Sequence, residues 1–134
     1  MLAPSSDLLR IDASEDVVTV RRVVREQAIA LGFSLVDQTK LVTAASELAR
    51  NTFQHGLGGT VRLERISDGA KRGIRLTFED QGPGIPDLER ALRDGYTTGG
   101  GLGLGLSGSK RLCHEFSISS TPGVGTRVVI TRWK

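Results

Sequence analysis

The chain has 134 residues, 38% of them hydrophobic and 25% charged, which is the ordinary range for a globular domain large enough to bury a core. Its single cysteine, Cys113, excludes an internal disulfide framework, and no apolar run approaches the roughly 20 residues that span a bilayer, so we expect a cytoplasmic protein without membrane contact. The net charge of +3 is mixed with acidic residues and only 4% of residues are aromatic, which argues against nucleic-acid binding.

The beginning of the chain predicts a short strand followed by a long helix. Residues 8–11 are the candidate strand, and the helix covers residues 12–32. Ser14 is the predicted N-cap and Gly32 the predicted C-terminal stop. An apolar stripe with spacings of three and four, the pattern of a helix packed on a core, consists of Val17, Val20, Val24, Ala28 and Leu31.

A second helix and two strands are predicted next. Ser34 is the expected N-cap, with Asp37 in the position of a capping box, and the helix continues to about residue 55, where Gly56 ends it. Glycine-containing turns then bound two strands, at residues 60–66 and 73–80.

The remaining part of the chain predicts a glycine-rich loop between short helices and a final pair of strands. These segments are a helix near residues 87–93, the loop at 95–105, a helix at about 104–114 and strands at 116–120 and 126–133. The order of elements predicts an α/β sandwich, with helices packed on one face of a mixed β-sheet, as one domain over residues 1–134.

Three polar residues with a spacing of four, Glu47, Asn51 and His55, fall on one side of the second helix. Apolar neighbours flank this side, so we expect it to border the core, although a solvated stripe is an equal alternative. An Asn amide oxygen is a hard ligand suited to Mg²⁺. A nearby carboxylate can take a proton from an attacking hydroxyl group.

Alternation along the strand that ends at Asp80 places this residue on the same face as Ile74, Leu76 and Phe78. A carboxylate on an apolar face is unfavourable unless it is hydrogen-bonded, and an adenine amino group is one donor that would satisfy it. The alternative is that Asp80 only initiates the following turn. Gly82 and Gly84 would allow the backbone to approach a planar ring closely.

The dense glycines of residues 97–106 can form a phosphate site where the loop enters a helix. This segment is neither a Walker loop nor a Rossmann fingerprint, and taken alone it is a weak signal for which a flexible linker is the alternative. The segment from Gly123 to Thr126 reads as a hairpin, although the Thr126 hydroxyl group could contact the base or its waters.

Taken in order, these motifs resemble the GHKL ATPase superfamily, which includes histidine-kinase catalytic domains and DNA gyrase. The resemblance rests on Glu-x-x-x-Asn in a helix, a strand ending in Asp-x-Gly-x-Gly, the Gly-Leu-Gly-Leu helix entry and a terminal Gly-x-Gly-Thr, between Ser34 and Trp133. It implies the Bergerat fold, a two-layer sandwich with a glycine-rich lid over ATP.

Within this superfamily the sequence is most similar to stand-alone bacterial serine kinases that control stress sigma factors, and in particular to the stressosome switch kinases. The stretches that carry this similarity are Val36-Asp37-Gln38-Thr39, Thr43-Ala44-Ala45-Ser46-Glu47-Leu48-Ala49-Arg50-Asn51, Glu79-Asp80-Gln81-Gly82-Pro83-Gly84-Ile85-Pro86-Asp87 and Gly100-Gly101-Leu102-Gly103 with Lys110-Arg111-Leu112. His55-Gly56 resembles the anti-sigma-factor kinases at least as well.

The resemblance implies a role for each matching residue. Asn51 would hold Mg²⁺, Asp80 would read adenine, and Glu47 would activate the acceptor serine. The remaining nucleotide-binding residues of the pocket and lid would be Gly82, Gly84, Ile85, Thr98, Gly99, Gly100, Gly101, Leu102, Gly103, Leu104, Gly105 and Thr126.

The implied reaction is transfer of the γ-phosphoryl group of ATP to a serine on a STAS-domain antagonist or scaffold protein. The implied second role is binding and activation of a PP2C-type phosphatase. Two alternatives remain open: an anti-sigma factor that binds a sigma subunit and phosphorylates its antagonist, and a nucleotide-gated binding module without turnover. Arg21, Arg22 and Arg25 could contribute to a docking face, but a solvated helix face is the simpler interpretation.

Overall fold

The computed structural model describes residues 6–85, 92 and 106–134. Its strands are β1 (Ser6–Ile11), β2 (Gly59–Asp68), β3 (Lys71–Asp80), β4 (Glu115–Thr121) and β5 (Gly125–Trp133). Its helices are α1 (Ser14–Leu31), α2 (Leu35–Gln54) and α3 (Leu106–Leu112). None of the helices in these described ranges combines the length and the apolar character that a membrane crossing requires. The predicted helix near residues 87–93, except Leu92, and the glycine-rich loop lie outside the described residues.

The first helix begins differently from the prediction. Ala13, not Ser14, occupies the N-cap position, with extended backbone geometry. The Asp16 carboxylate accepts hydrogen bonds from the backbone N–H groups of Asp12 (2.9 Å) and Ala13 (3.0 Å). A residue in the first turn thus provides the acceptor for backbone N–H groups at the helix start, and no capping hydroxyl group is needed. The predicted stop at Gly32 is confirmed, with φ of 89°.

The second helix begins as predicted, but Asp37 has a different partner from the one a capping box suggests. Ser34 Oγ accepts the Asp37 backbone N–H at 3.1 Å. The Asp37 carboxylate accepts a hydrogen bond from Arg132 Nη2 at 2.6 Å, and Arg132 Nη1 donates to the Leu112 carbonyl at 2.7 Å. The nearly buried Arg132 therefore ties the start of α2 and the end of α3 to β5.

The five strands lie in the order β1-β2-β3-β5-β4, and all four pairings between them are antiparallel. The α/β fold class is confirmed, but the expectation of a mixed sheet is wrong. The two helices of the α1–α2 hairpin return the chain to the end of β1, so β2 runs antiparallel to β1. The connection through α3 gives β4 the direction of β3, but β5 lies between these two strands and is antiparallel to both.

The core lies between the sheet and the helices. The α1 stripe is buried, with Val20, Val24 and Ala28 at most 1% exposed. On the sheet, the inward rows include Val61 and Leu63 of β2, together with Ile74, Leu76 and Phe78 of β3. These buried faces match the predicted periodicities, and they place the end of β3 beside the end of α2.

Candidate functional site

A cleft lies between the C-terminal half of α2 and the adjoining ends of β3 and β5. Its polar lining consists of Asn51, Thr52, His55, Asp80 and Thr126. Its apolar lining consists of Leu48, Phe78, Ile85, Leu106 and Val128. Apolar walls with a few convergent polar groups are typical of a small-molecule site.

The structure brings Asn51 and His55 of the predicted helix row into this cleft and leaves Glu47 at its margin. All three side chains are partly buried, as their position beside the core predicts. Glu47 lies one helical turn before Asn51, outside the cleft lining, and its Oε1 accepts a hydrogen bond from Arg50 Nη1 at 2.7 Å. The helix ends just below the cleft, where the backbone N–H groups of His55 and Gly56 both donate to the Asn51 carbonyl.

Asp80 stands at the end of β3, opposite Thr126 of β5 in the sheet register. The Gly82 N–H donates to Asp80 Oδ1 at 2.9 Å. Partial burial raises the pKa of the Asp80 carboxyl, and the N–H groups of Gly82 and Thr126, which donate to this carboxyl, act in the opposite direction. The side chain thus continues the apolar face of β3 into the cleft, as the strand alternation predicts.

The glycines around Asp80 are packed against other backbone segments. A Cβ on Gly56 would overlap the Asp80 carboxyl group, and a Cβ on Gly82 would lie 2.7 Å from the Gly56 carbonyl oxygen. Gly84 has a φ of 76°, and its Cβ would lie 2.6 Å from the Thr121 carbonyl oxygen. Gly82 and Gly84 therefore have a role that the sequence does not reveal: the absence of a side chain at these two residues allows backbone segments around Asp80 to pack closely.

Sequence reasoning missed two parts of this arrangement. Gly56 looks like an ordinary helix stop, and nothing in its neighbours indicates that Asp80 packs against it. Ser120 looks like an ordinary strand residue, yet its hydroxyl group accepts the Ile85 N–H at 2.7 Å and lies 2.9 Å from Thr126 Oγ1. The lid residues Thr98, Gly99, Gly100, Gly101, Leu102, Gly103, Leu104 and Gly105 lie outside the described residues, so their placement stays a prediction.

Comparison with known proteins connects this fold and cleft to a family. The family model described as histidine kinase-, DNA gyrase B-, and HSP90-like ATPase matches residues 36–134. The chain is 45% identical over 125 residues to the serine/threonine-protein kinase RsbT of Bacillus subtilis, covering 93% of this chain and 94% of that protein. It is 29% identical over 129 residues to an anti-sigma F factor of Thermoanaerobacter sp., covering 92% and 89%.

A solved structure supports the fold. The RsbU and RsbW domains of a Mycobacterium tuberculosis protein match with a TM-score of 0.66 and 21% identity. The match covers 99% of this chain but 33% of that chain, so the protein described here spans about a third of its length. Because the family model covers well over half of the sequence and the fold agrees with it, this chain belongs to the family of histidine kinase-, DNA gyrase B- and HSP90-like ATPases.

Proposed function

We propose that this chain is an ATP-dependent protein serine kinase in a bacterial stress-signalling partner switch. Its substrates are serines on STAS-domain antagonist and scaffold proteins, and its second role is to bind and activate a PP2C-type phosphatase. The observation that carries the proposal is the cleft that unites Asn51 and Asp80, in a chain 45% identical to a protein named serine/threonine-protein kinase. A cytoplasmic location belongs to the same proposal.

The chemistry of the cleft fits a magnesium nucleotide. The Asp80 carboxylate has acceptor capacity beyond its two backbone donors, which suits an amino group such as that of adenine. Asn51 offers an amide oxygen, a hard ligand. Residues 6–85, 92 and 106–134 contain no cluster of three or more His, Cys, Asp or Glu side chains that could hold a metal. A magnesium nucleotide does not need such a cluster, because Mg²⁺ commonly takes one or two protein ligands together with water and phosphate oxygens.

In the proposed mechanism the protein residues position the reactants and accept one proton. Mg²⁺, when bound through Asn51, would offset the negative charge of the phosphates. The serine oxygen forms a bond to the γ-phosphorus, the bond to the β-phosphate oxygen breaks, and ADP leaves. Glu47 takes the serine proton, while Arg50 holds the Oε1 atom of this carboxylate and so orients it. Residues 98–105 lie outside the described part of the chain, and their role as a lid that excludes water from the nucleotide is what the family resemblance implies.

A second candidate function is that of an anti-sigma factor, and relatives in the comparison favour it. Several similar proteins carry the name anti-sigma F factor, at 27–31% identity. A protein of this kind would bind a sigma subunit and phosphorylate the antagonist that releases it. Retention of a purified sigma factor by the immobilised protein in the presence of ATP would favour this function over the switch kinase.

The experiment that tests the kinase proposal follows the γ-phosphate. Purified STAS-domain proteins from the same bacterium are incubated with labelled Mg-ATP and wild-type protein, Glu47→Ala or Glu26→Ala. Glu26 is an exposed carboxylate paired with Arg22 on α1, so its removal is the matched control. We expect serine labelling with wild type and Glu26→Ala, and about 10²–10⁴-fold slower labelling with Glu47→Ala.

Nucleotide binding by the same variants separates the proposed roles. Glu47→Ala should retain the ATP affinity of the wild type in calorimetry, because Glu47 does not line the cleft. Equal loss of binding and transfer in Glu47→Ala would contradict the assignment of Glu47 as the base. ATP binding without labelling of any STAS-domain protein would favour a nucleotide-gated binding module.

A further inference from the structure

The Ser120 hydroxyl group joins three segments around the cleft. It accepts the backbone N–H of Ile85 at 2.7 Å, lies 2.9 Å from Thr126 Oγ1 and is 3.3 Å from the Gly125 carbonyl oxygen, to which it can donate. Ser120 does not itself line the cleft, whereas Ile85 and Thr126 both do. Its hydroxyl group therefore acts on the cleft through its neighbours.

Either oxygen could donate in the Ser120–Thr126 contact, and one assignment of the hydrogens makes all three contacts of the Ser120 hydroxyl group hydrogen bonds. A serine hydroxyl group has one hydrogen and two lone pairs. If its hydrogen goes to Gly125 and one lone pair to Ile85, the second lone pair accepts the Thr126 hydroxyl hydrogen, and all of its capacity is used. Thr126 Oγ1 then keeps its lone pairs for a ligand, so it acts as an acceptor.

We propose that Ser120 is a positioning residue for nucleobase selection, which rests on the nucleotide site proposed above. By taking the Thr126 hydrogen, it makes Thr126 an acceptor beside the Asp80 carboxylate. Two adjacent acceptors favour a purine with an exocyclic amino group and disfavour one with a carbonyl oxygen at that position, since the latter would face lone pairs. Ser120 thereby contributes to the preference for adenine.

The same hydroxyl group holds the loop that follows Asp80. The Ile85 N–H bond joins this loop to the β4–β5 hairpin, next to a second bond from the Gly123 N–H to the Pro83 carbonyl at 2.8 Å. Because the second bond needs no Ser120 side chain, removal of the hydroxyl group should leave the loop attached while it changes the polarity of Thr126.

The test compares the affinities for ATP and for inosine triphosphate, in which a carbonyl oxygen replaces the adenine amino group. Calorimetry is performed on the wild type, Ser120→Ala, Ser120→Thr and Ser119→Ala. Ser120→Thr retains the hydroxyl group, and Ser119 is an exposed residue of the same strand. The unfolding midpoint of each variant without nucleotide serves as the structural readout.

We expect Ser120→Ala to bind ATP about 3–10-fold more weakly and to lose a similar factor of the preference for ATP over inosine triphosphate. Ser120→Thr and Ser119→Ala should keep that preference. If Ser120→Ala bound both nucleotides more weakly by the same factor and had a lower unfolding midpoint, its preference would be unchanged and the role of Ser120 would be structural. That result would overturn this inference and leave the proposed function standing. Absence of ATP binding by the wild type would overturn the proposed function and the inference together.

Discussion

Gly56 packs so closely against Asp80 that a single Cβ atom at residue 56 would overlap the Asp80 carboxyl group. Gly56, two residues beyond the last residue of α2, thus limits where the carboxylate at the end of β3 can lie. Gly82 also packs against Gly56, since a Cβ on Gly82 would meet the Gly56 backbone. The position of Asp80 in the cleft depends on these two glycines, which are 26 residues apart in the chain.

Gly56→Ala should disturb both stability and nucleotide binding. Because the added methyl group must displace the Asp80 carboxyl, we expect unfolding free energy to fall by about 1–3 kcal/mol and ATP affinity to fall with it. Urea denaturation and calorimetry measure the two effects. The control is Gly108→Ala, where a Cβ would meet no heavy atom within 4 Å among the described residues. If Gly108→Ala lost as much stability and ATP affinity as Gly56→Ala, the contact with Asp80 would not be the cause of the loss.

Asp80→Asn should separate nucleotide recognition from folding. Replacing the carboxylate weakens a charge-assisted acceptor in a partly buried site, so we expect ATP affinity to fall at least about tenfold while the protein without nucleotide stays folded. Glu79→Gln is the matched control, because Glu79 is the adjacent exposed carboxylate and pairs with Arg127 at 3.4 Å. Wild-type affinity in Asp80→Asn would place adenine recognition elsewhere.

The Asp37–Arg132 pair predicts a loss of stability in acid. The hydrogen bond from Arg132, with a smaller contribution from Ser34, lowers the pKa of the Asp37 carboxyl below the ordinary value of 3.8. The unfolded chain therefore binds this proton more tightly than the folded chain. The stabilisation is complete above pH 3.8 and is lost as the pH falls through the lowered pKa.

Asp37→Asn should consequently be less stable than the wild type at about pH 7, with a difference that shrinks on acidification to about pH 3. Urea denaturation at a series of pH values measures this difference, and Asp68→Asn, at an exposed carboxylate near the β2–β3 turn, is the control. A difference that stays constant with pH would show that the charge of Asp37 is not the source of the stability.

Arg132 contacts two partners, the Asp37 carboxylate and the Leu112 carbonyl. Its side chain is 10% exposed, and Arg132→Met would remove the arginine hydrogen bonds to the Asp37 carboxylate and to the Leu112 carbonyl. We expect unfolding free energy to fall by about 1–3 kcal/mol. Arg127→Met, at an exposed arginine of the same strand, should change stability far less in the same denaturation experiment. A stability equal to the wild type in Arg132→Met would contradict a structural role for the pair.

Leu57 is strained as well as exposed. Its φ of 62° is in the left-handed region, which is unfavourable for a residue with a Cβ, and its side chain is 80% exposed. We expect Leu57→Gly to raise unfolding free energy by up to about 1 kcal/mol and Leu57→Val to lower it, because β-branching adds to the strain. Thermal denaturation checks this: the unfolding midpoint should be highest for Leu57→Gly, intermediate for the wild type and lowest for Leu57→Val. The reverse order would mean that the Leu57 side chain makes a stabilising contact.

The helices and strands of this protein could be predicted from the sequence because apolar periodicity and capping residues involve only residues near one another in the chain. The valine stripe of α1, the Ser34 cap of α2 and the alternation of β3 each depend on neighbouring residues, and all three are present in the structure. The helix start at Ala13 escaped prediction because a carboxylate within the first turn replaced the expected capping hydroxyl. The site motifs were recognisable because Asn51, Asp80 and Thr126 occur in an ordered set that resembles a known family.

The arrangement of these elements depends on contacts between distant parts of the chain, which no periodicity contains. Asp37 and Arg132, 95 residues apart, meet because β5 lies between β3 and β4, the same placement that makes the sheet antiparallel. Gly56 and Ser120 acquire their roles in the same way, since each is adjacent in space to segments that are remote in sequence. A local pattern records which face of a strand or helix is apolar, whereas the close packing of backbone and hydroxyl groups around Asp80 exists only once the layers have assembled.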